Sequence, residues 1–231
     1  MLKLLITSLF FLITISSYSQ VQELREYKNI PEEQIILNIN LERWVKTPQQ
    51  MDLKPYSVGF DAYFMQPTFW ENRNISFAIG GGISVQNIKN NCQITDSLGF
   101  TLFKAINDTI SYQTNKLSTV YVDVPFELRF RTRPIVKKRN FKFVVGFKVG
   151  YNFQRYLKYQ GNNFINYTND SDIKYKTYKV NNILHYRYGV FTRIGYGKFN
   201  LTAYYALVEL FNKQKAPEII PYSIGLSISL F

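Results

Sequence analysis

Side chains able to do chemistry are sparse in this chain, and their types narrow what it could be. It has one histidine, His185, and one cysteine, Cys92. A single member of each can build neither a disulfide framework nor a zinc site of several Cys and His ligands, so no metal and no cofactor is expected. A hydrolase or acyltransferase built on His185 would need a nucleophile and an orienting carboxylate within hydrogen-bond reach. Ser171, Asp170 and Asp172 stand upstream of it, but nothing fixes their distance, and the chain is read as a non-enzyme with no catalytic residue. Gly80-Gly81-Gly82 lacks the following Lys-Ser/Thr and helix of a phosphate loop, which leaves close packing or a bend. What remains is a set of charges: Asp61, Asp123 and Glu127 alternate in phase with Arg129, Lys142, Lys148, Arg187 and Arg193.

The elements that must position these charges alternate with period two, the repeat of a strand with unlike faces. Eight such segments can be traced, at 35–44, 56–64, 75–85, 120–130, 141–153, 184–196, 199–207 and 220–230. At about ten to thirteen residues they exceed ordinary soluble strands and match the roughly 9 to 11 residues that cross a bilayer at a tilt. Their connections alternate in length. Those at 45–55, 87–118, 154–183 and 208–219 are long, whereas 66–74, 132–140 and 197–198 are short. Long external loops alternating with short periplasmic turns are the asymmetry of an outer-membrane barrel.

Side-chain size separates this reading from a soluble barrel of the lipocalin kind, whose apolar residues point inward. Here the apolar set is bulky, while the opposite set is rich in Gly, Ser, Ala and Asn with a few charges. An eight-stranded interior has room only for its own side chains. The small set therefore belongs inside and the bulky set faces lipid. Closure also leaves no unpaired edge in the hydrocarbon. The fold class expected is all-β: an eight-stranded antiparallel transmembrane β-barrel with an N-terminal signal peptide. Tyr151, Phe153, Tyr186 and Tyr188 would form the external aromatic girdle, and Phe141, Tyr196 and Phe199 the periplasmic one. The eight charges named above would fill the lumen as paired ions, because a buried unpaired charge costs several kcal/mol.

Lys3, the apolar run at 4–15 and the small residues Ser17 and Ser19 describe a secretory signal peptide over 1–19. A periplasmic tail over 20–34 and the barrel domain over 35–231 follow. The formal charge of +12, from 28 Lys+Arg against 16 Asp+Glu, would suggest nucleic acid in a cytoplasmic chain. On an exported one, no nucleic acid is expected, and the phosphates of outer-membrane lipid and lipopolysaccharide are the natural counter-charges. The basic run Arg131, Arg133, Lys137, Lys138 and Arg139 falls in a periplasmic connection, against headgroups or simply solvated. Cys92 is read as a free thiol in a loop.

Four stretches carry a family likeness: Tyr121-Val122-Asp123-Val124-Pro125-Phe126-Glu127-Leu128-Arg129-Phe130; Phe143-Val144-Val145-Gly146-Phe147-Lys148-Val149-Gly150-Tyr151; Arg187-Tyr188-Gly189-Val190 through Gly195-Tyr196-Gly197; and Ser223-Ile224-Gly225-Leu226. In these the chain resembles the small outer-membrane β-barrel proteins grouped as PorT-like. The resemblance implies a bacterial outer-membrane location and insertion by the barrel-assembly machinery. Some relatives serve protein secretion and gliding. Barrel proteins commonly end in an aromatic on the lipid-facing parity; here Phe231 is terminal, but the apolar parity is Leu230, Ile228 and Leu226. Either the last residues bend or the signal differs. The expected function is that of a barrel without a pore, with a structural or binding role through its external loops. The alternatives are an accessory subunit of a secretion or gliding machinery, which would bring secretion-system partners, and a lipid A-modifying enzyme using His185.

Overall fold

The computed structural model describes residues 34–69, 74–132, 140–162 and 172–230. The expected signal peptide, all of the tail but Gln34, Arg133, Lys137 to Arg139, Asp170, Ser171 and Phe231 lie outside these residues. Every regular element among them is a strand: β1 (Ile35–Val45), β2 (Val58–Phe69), β3 (Ile75–Lys89), β4 (Cys92–Ser97), β5 (Phe100–Ala105), β6 (Tyr112–Arg131), β7 (Phe141–Asn162), β8 (Asp172–Thr177), β9 (Tyr186–Tyr196), β10 (Phe199–Ala206) and β11 (Ile220–Leu230). Eight of them pair in the order β6-β3-β2-β1-β11-β10-β9-β7, and β6 pairs with β7 to close an antiparallel barrel. The first and last strands meet along eleven residue pairs, from Ile35 against Leu230 to Val45 against Ile220. At Gly197, φ of 62° with an ordinary φ at Lys198 makes the tight β9-β10 turn of type II′.

The polarity of the wall follows from the parity. Phe60, Phe64, Ile79, Val124, Val145, Leu201, Ile224 and Leu226 are exposed on the outside, whereas Asn38, Asn40, Ser84, Asn200, Ser223, Ser227 and Ser229 are buried inside. Only hydrocarbon matches such an exterior. Bulky inner residues also occur where a glycine faces them. A side chain at Gly82 would strike the ring of Tyr63, and one at Gly189 or Gly146 would strike Tyr204 or Phe191. All seven girdle residues are exposed on the outer face. Tyr196 stands opposite Phe141 on one side and Phe199 on the other, and Tyr151 stands opposite Tyr186. The ten residue steps of β7 from Phe141 to Tyr151, at about 3.3 Å each and the usual tilt, give the roughly 25 Å height of an apolar band.

Several strands overshoot the expected segments: β2 runs on to Phe69 and β3 to Lys89, and β6 and β7 run furthest. β6 has 20 residues and β7 has 22, and both continue beyond the membrane on the external side, where β8 pairs with the far end of β7. The connections 87–118 and 154–183 therefore hold strand, including the separate hairpin β4-β5, rather than open loop. Outside the membrane the rule of the wall inverts. Trp44, Ile88, Leu117 and Ile219 occupy the inner parity of β1, β3, β6 and the approach to β11, yet are apolar and buried. Trp44, expected at the end of an apolar lipid-facing set, points the other way. Where water rather than lipid surrounds the strands, apolar residues go inside and polar ones outside.

Candidate functional site

All eight predicted lumen residues lie buried on the inner wall, gathered round two carboxylates. Asp123 on β6 and Arg187 on β9 reach across the intervening β7 at Gly150, which pairs with both. Arg187 Nε donates to Asp123 Oδ1 at 3.1 Å and Nη2 to Oδ2 at 2.6 Å. Any side chain at Gly150 would collide with that carboxylate. Tyr63 donates to Asp123 Oδ2 at 3.0 Å, Ser84 donates to the same oxygen, and Lys148 donates to the Tyr63 hydroxyl at 3.1 Å. The guanidinium of Arg187 lies 3.8 Å from the ring centroid of Tyr121, and the Lys148 ammonium 4.1 Å from that of Tyr204. Toward the periplasm, Glu127 takes 2.7 Å from Arg129 Nε and a two-bond fork from Arg193 at 3.1 and 3.0 Å. Lys142 lies on the inner wall still lower, opposite Arg131.

Asp61 shares an interior cavity with Lys148 but makes no ion pair at contact distance. Its Oδ2 accepts from the amides of Asn38 at 3.2 Å and Asn40 at 2.8 Å. Uncharged donors satisfy it because β1, its neighbour, supplies only Asn at that height. Sequence reasoning missed Glu42, buried on the inner parity of β1 and accepting from Gln86 at 3.0 Å. It also missed the aromatic lining of Tyr63, Tyr121 and Tyr204. The signal was present, since all four share the inner parity of the predicted charges. Arg131 lies buried on the inner face of β6 rather than in a turn. Below these groups Ile36, Tyr63, Met65 and Ala78 form an apolar cluster at the periplasmic end. Two cavities among the described inner-wall residues hold about 10 and 20 Å³, room for one water each.

Above the barrel the external connections build a cap. Trp44, Met51, Ile88, Cys92, Ile94, Phe103, Leu117, Val180, Ile183, Leu210, Phe211 and Ile219 form one buried apolar cluster drawn from all four of them. Phe103 and Phe211 meet edge to face at 5.6 Å. The hairpin turns at Leu98 and Gly99, both with positive φ as a type I′ turn requires. It docks through Thr101 N–H to the Lys215 carbonyl at 2.7 Å and the Asn182 amide to the Gly99 carbonyl at 3.0 Å. Cys92 is free, as expected, but buried in this cluster, and burial raises its thiol pKa to about 11. His185 does not face the lumen. β9 begins one residue later, and His185 is exposed with its ring 6.2 Å from Tyr151 on the outer wall. Beside the hairpin opens a polar cleft of about 360 Å³, lined among others by Asp52, Tyr56, Lys89, Asn107, Asp108 and Tyr112.

Three outcomes follow from this packing. Asp123→Ala leaves Arg187 buried without its carboxylate and should cost about 3–5 kcal/mol in urea unfolding of the micelle-bound barrel. Lys46→Ala, which breaks an exposed pair with Glu218, should leave the midpoint unchanged. For Cys92, alkylation by iodoacetamide at pH 8 should be slow in the folded protein and fast after denaturation, because only the thiolate reacts; equal rates would mean that the cap is open.

The model of a family described as "outer membrane protein beta-barrel domain" matches residues 38–212. No curated protein matches the chain. Among solved structures, the chain is similar to Ail, the attachment invasion locus protein of Yersinia pestis, determined with the heparin analogue sucrose octasulfate. The likeness has a TM-score of 0.32 and 10% identity over 85% of this chain and 97% of that one. A closed eight-stranded wall, apolar outside and ion-filled inside, with the family match across most of its length, leads to one assignment: the chain belongs to the outer-membrane protein β-barrel domain family and resides in the bacterial outer membrane.

Proposed function

We propose that this protein is a PorT-like barrel without a pore, a surface protein that binds through its external cap and carries out no catalysis. The observation that carries the reading is the contrast between the two ends of the same cylinder. The lumen is occupied by the Asp123 and Glu127 ion clusters, with cavities of about 10 and 20 Å³, too small for a solute path. The cap instead has its own apolar core, and beside it the cleft of about 360 Å³. Such a core is a rigid support for contact residues, the arrangement that loop-borne binding sites need. The hairpin tip adds exposed Leu98, Phe100 and Leu102. His185, set outside the wall against Tyr151, supports the non-catalytic reading.

Planar-bilayer recordings of the purified protein should show no stable conductance. Photo-crosslinkers at Phe100 in the hairpin and Lys198 in the periplasmic turn should give adducts from the first site in intact cells. Stable large conductance would overturn the plugged lumen, and adducts confined to Lys198 would move the binding role to the periplasmic side.

A further inference from the structure

The strands that rise above the membrane place four lysines side by side. Lys89 on β3 is the direct partner of Lys116 on β6, Lys116 of Lys158 on β7, and Lys158 of Lys176 on β8. Directly opposed like charges destabilise a sheet, and here three such pairs are consecutive. At a strand spacing of about 4.8 Å the row is about 14 Å wide. All four point outward, on the parity that lower down carries Val85 and Val120, while Ile88 and Leu117 point into the cap.

Their height is set by what lies beneath. One step closer to the membrane on the same face are Asn87, Ser118 and Tyr156, which are mutual partners across β3, β6 and β7. Tyr156 and Tyr178 meet at 5.9 Å, and the Lys176 ammonium lies 3.8 and 4.8 Å from their ring centroids. Lys89 lies 4.4 Å over Tyr56. Reading outward, the wall passes from Val85 and Val120 through a polar row of Asn87, Ser118 and Tyr156 to the lysines, an order that suits the crossing from acyl chain through the interface to headgroup. Among the described residues, no carboxylate comes within ion-pairing distance of any of the four, whereas Lys46 and Lys213 each have one. Burial lowers the pKa of Lys116, Tyr156 opposes that, and Lys158, Lys89 and Lys176 lower it further, so the other three lysines act on it through space. The Lys116 ammonium donates to Asn87 Oδ1 at 2.8 Å, and tyrosine rings face Lys89 and Lys176, but these partners are neutral; a polyanion that bridges the row would supply the negative charge they lack.

We propose that Lys89, Lys116, Lys158 and Lys176 form a ladder that binds the phosphate groups of lipopolysaccharide in the surrounding outer leaflet. The ligand's source is the membrane rather than the medium because Lys116, Lys158 and Lys176 face sideways above an aromatic belt, with Lys89 at the end of the row that borders the cap cleft. Lys174, on the same face of β8, extends the ladder away from the membrane. The inference deepens the reading of the external region as a binding surface, and conductance recordings test the plugged lumen independently of it.

The test uses the full-length protein in phosphatidylcholine nanodiscs doped with bisphosphorylated lipid A or with the same lipid dephosphorylated. Replacing Lys89, Lys116, Lys158 and Lys176 together by Gln should weaken retention of the phosphorylated lipid about tenfold or more, while Gln at Lys104, Lys179, Lys213 and Lys215 should change it less than about twofold. Dephosphorylated lipid A should bind the unaltered protein as weakly as the phosphorylated lipid binds the ladder variant. Equal losses in both quadruple variants would overturn the ladder. Displacement by millimolar inorganic phosphate, or tighter binding of a soluble heparin fragment than of lipid A, would assign the charges to a soluble ligand and overturn the lipid source. If the ladder variant fails to fold, lysine acylation of the unaltered protein decides: the four should be protected in phosphorylated discs, and labelling as fast as at Lys104 refutes the proposal.

Discussion

The structure depends on neutralising charge inside a cylinder too narrow to hold much water. Asp123 and Arg187 do this across β7, with Gly150 between them, so one two-bond ion pair ties β6 to β9 over the strand between. Glu127 repeats the arrangement lower down with Arg193 and Arg129. Removing water from these ions is costly, and only close geometry with further donors, here Tyr63 and Ser84, offsets that cost. The glycines are the complement of the ions and rings, since each inner Gly is space that a neighbour fills. A barrel closed this way has its strength on the axis and leaves its outer face free to match lipid.

The axis was largely legible in the amino-acid order, because period-two alternation carries both the strand and the side of the wall. The eight strands, the charged inner residues and the exposed aromatics all come from that one pattern. It misled at the membrane edge. Assignments of a face that assume lipid fail once a strand enters water, and Trp44 shows it: an apolar side chain on the inner parity, buried beneath the cap. His185 shows the same limit from the other side, since β9 starts at Tyr186 and the parity counted back from it does not hold at the preceding residue. Glu42 lay within reach of the parity argument but sits on the least regular strand.

The cap was not legible. Met51, Ile94, Phe103, Leu210 and Phe211 come from three different connections, and no local period links them. Their association is tertiary, made possible because β6 and β7 project beyond the membrane and carry the hairpin, β8 and the last loop within reach of one another. The inversion of polarity between Val85 and Lys89, and between Val120 and Lys116, marks where lipid gives way to water on two neighbouring strands. The binding surface proposed above begins at that line.

The central claim is that the bulky set faces acyl chains while the small and charged set fills the axis. Nuclear Overhauser contacts from lipid acyl protons to side-chain methyls, measured in nanodiscs, test it most directly. The account predicts contacts to Ile79, Val124, Val145 and Ile224 and none to Met65 or Ala78. Acyl contacts to Met65 and Ala78, with the first group silent, would contradict it.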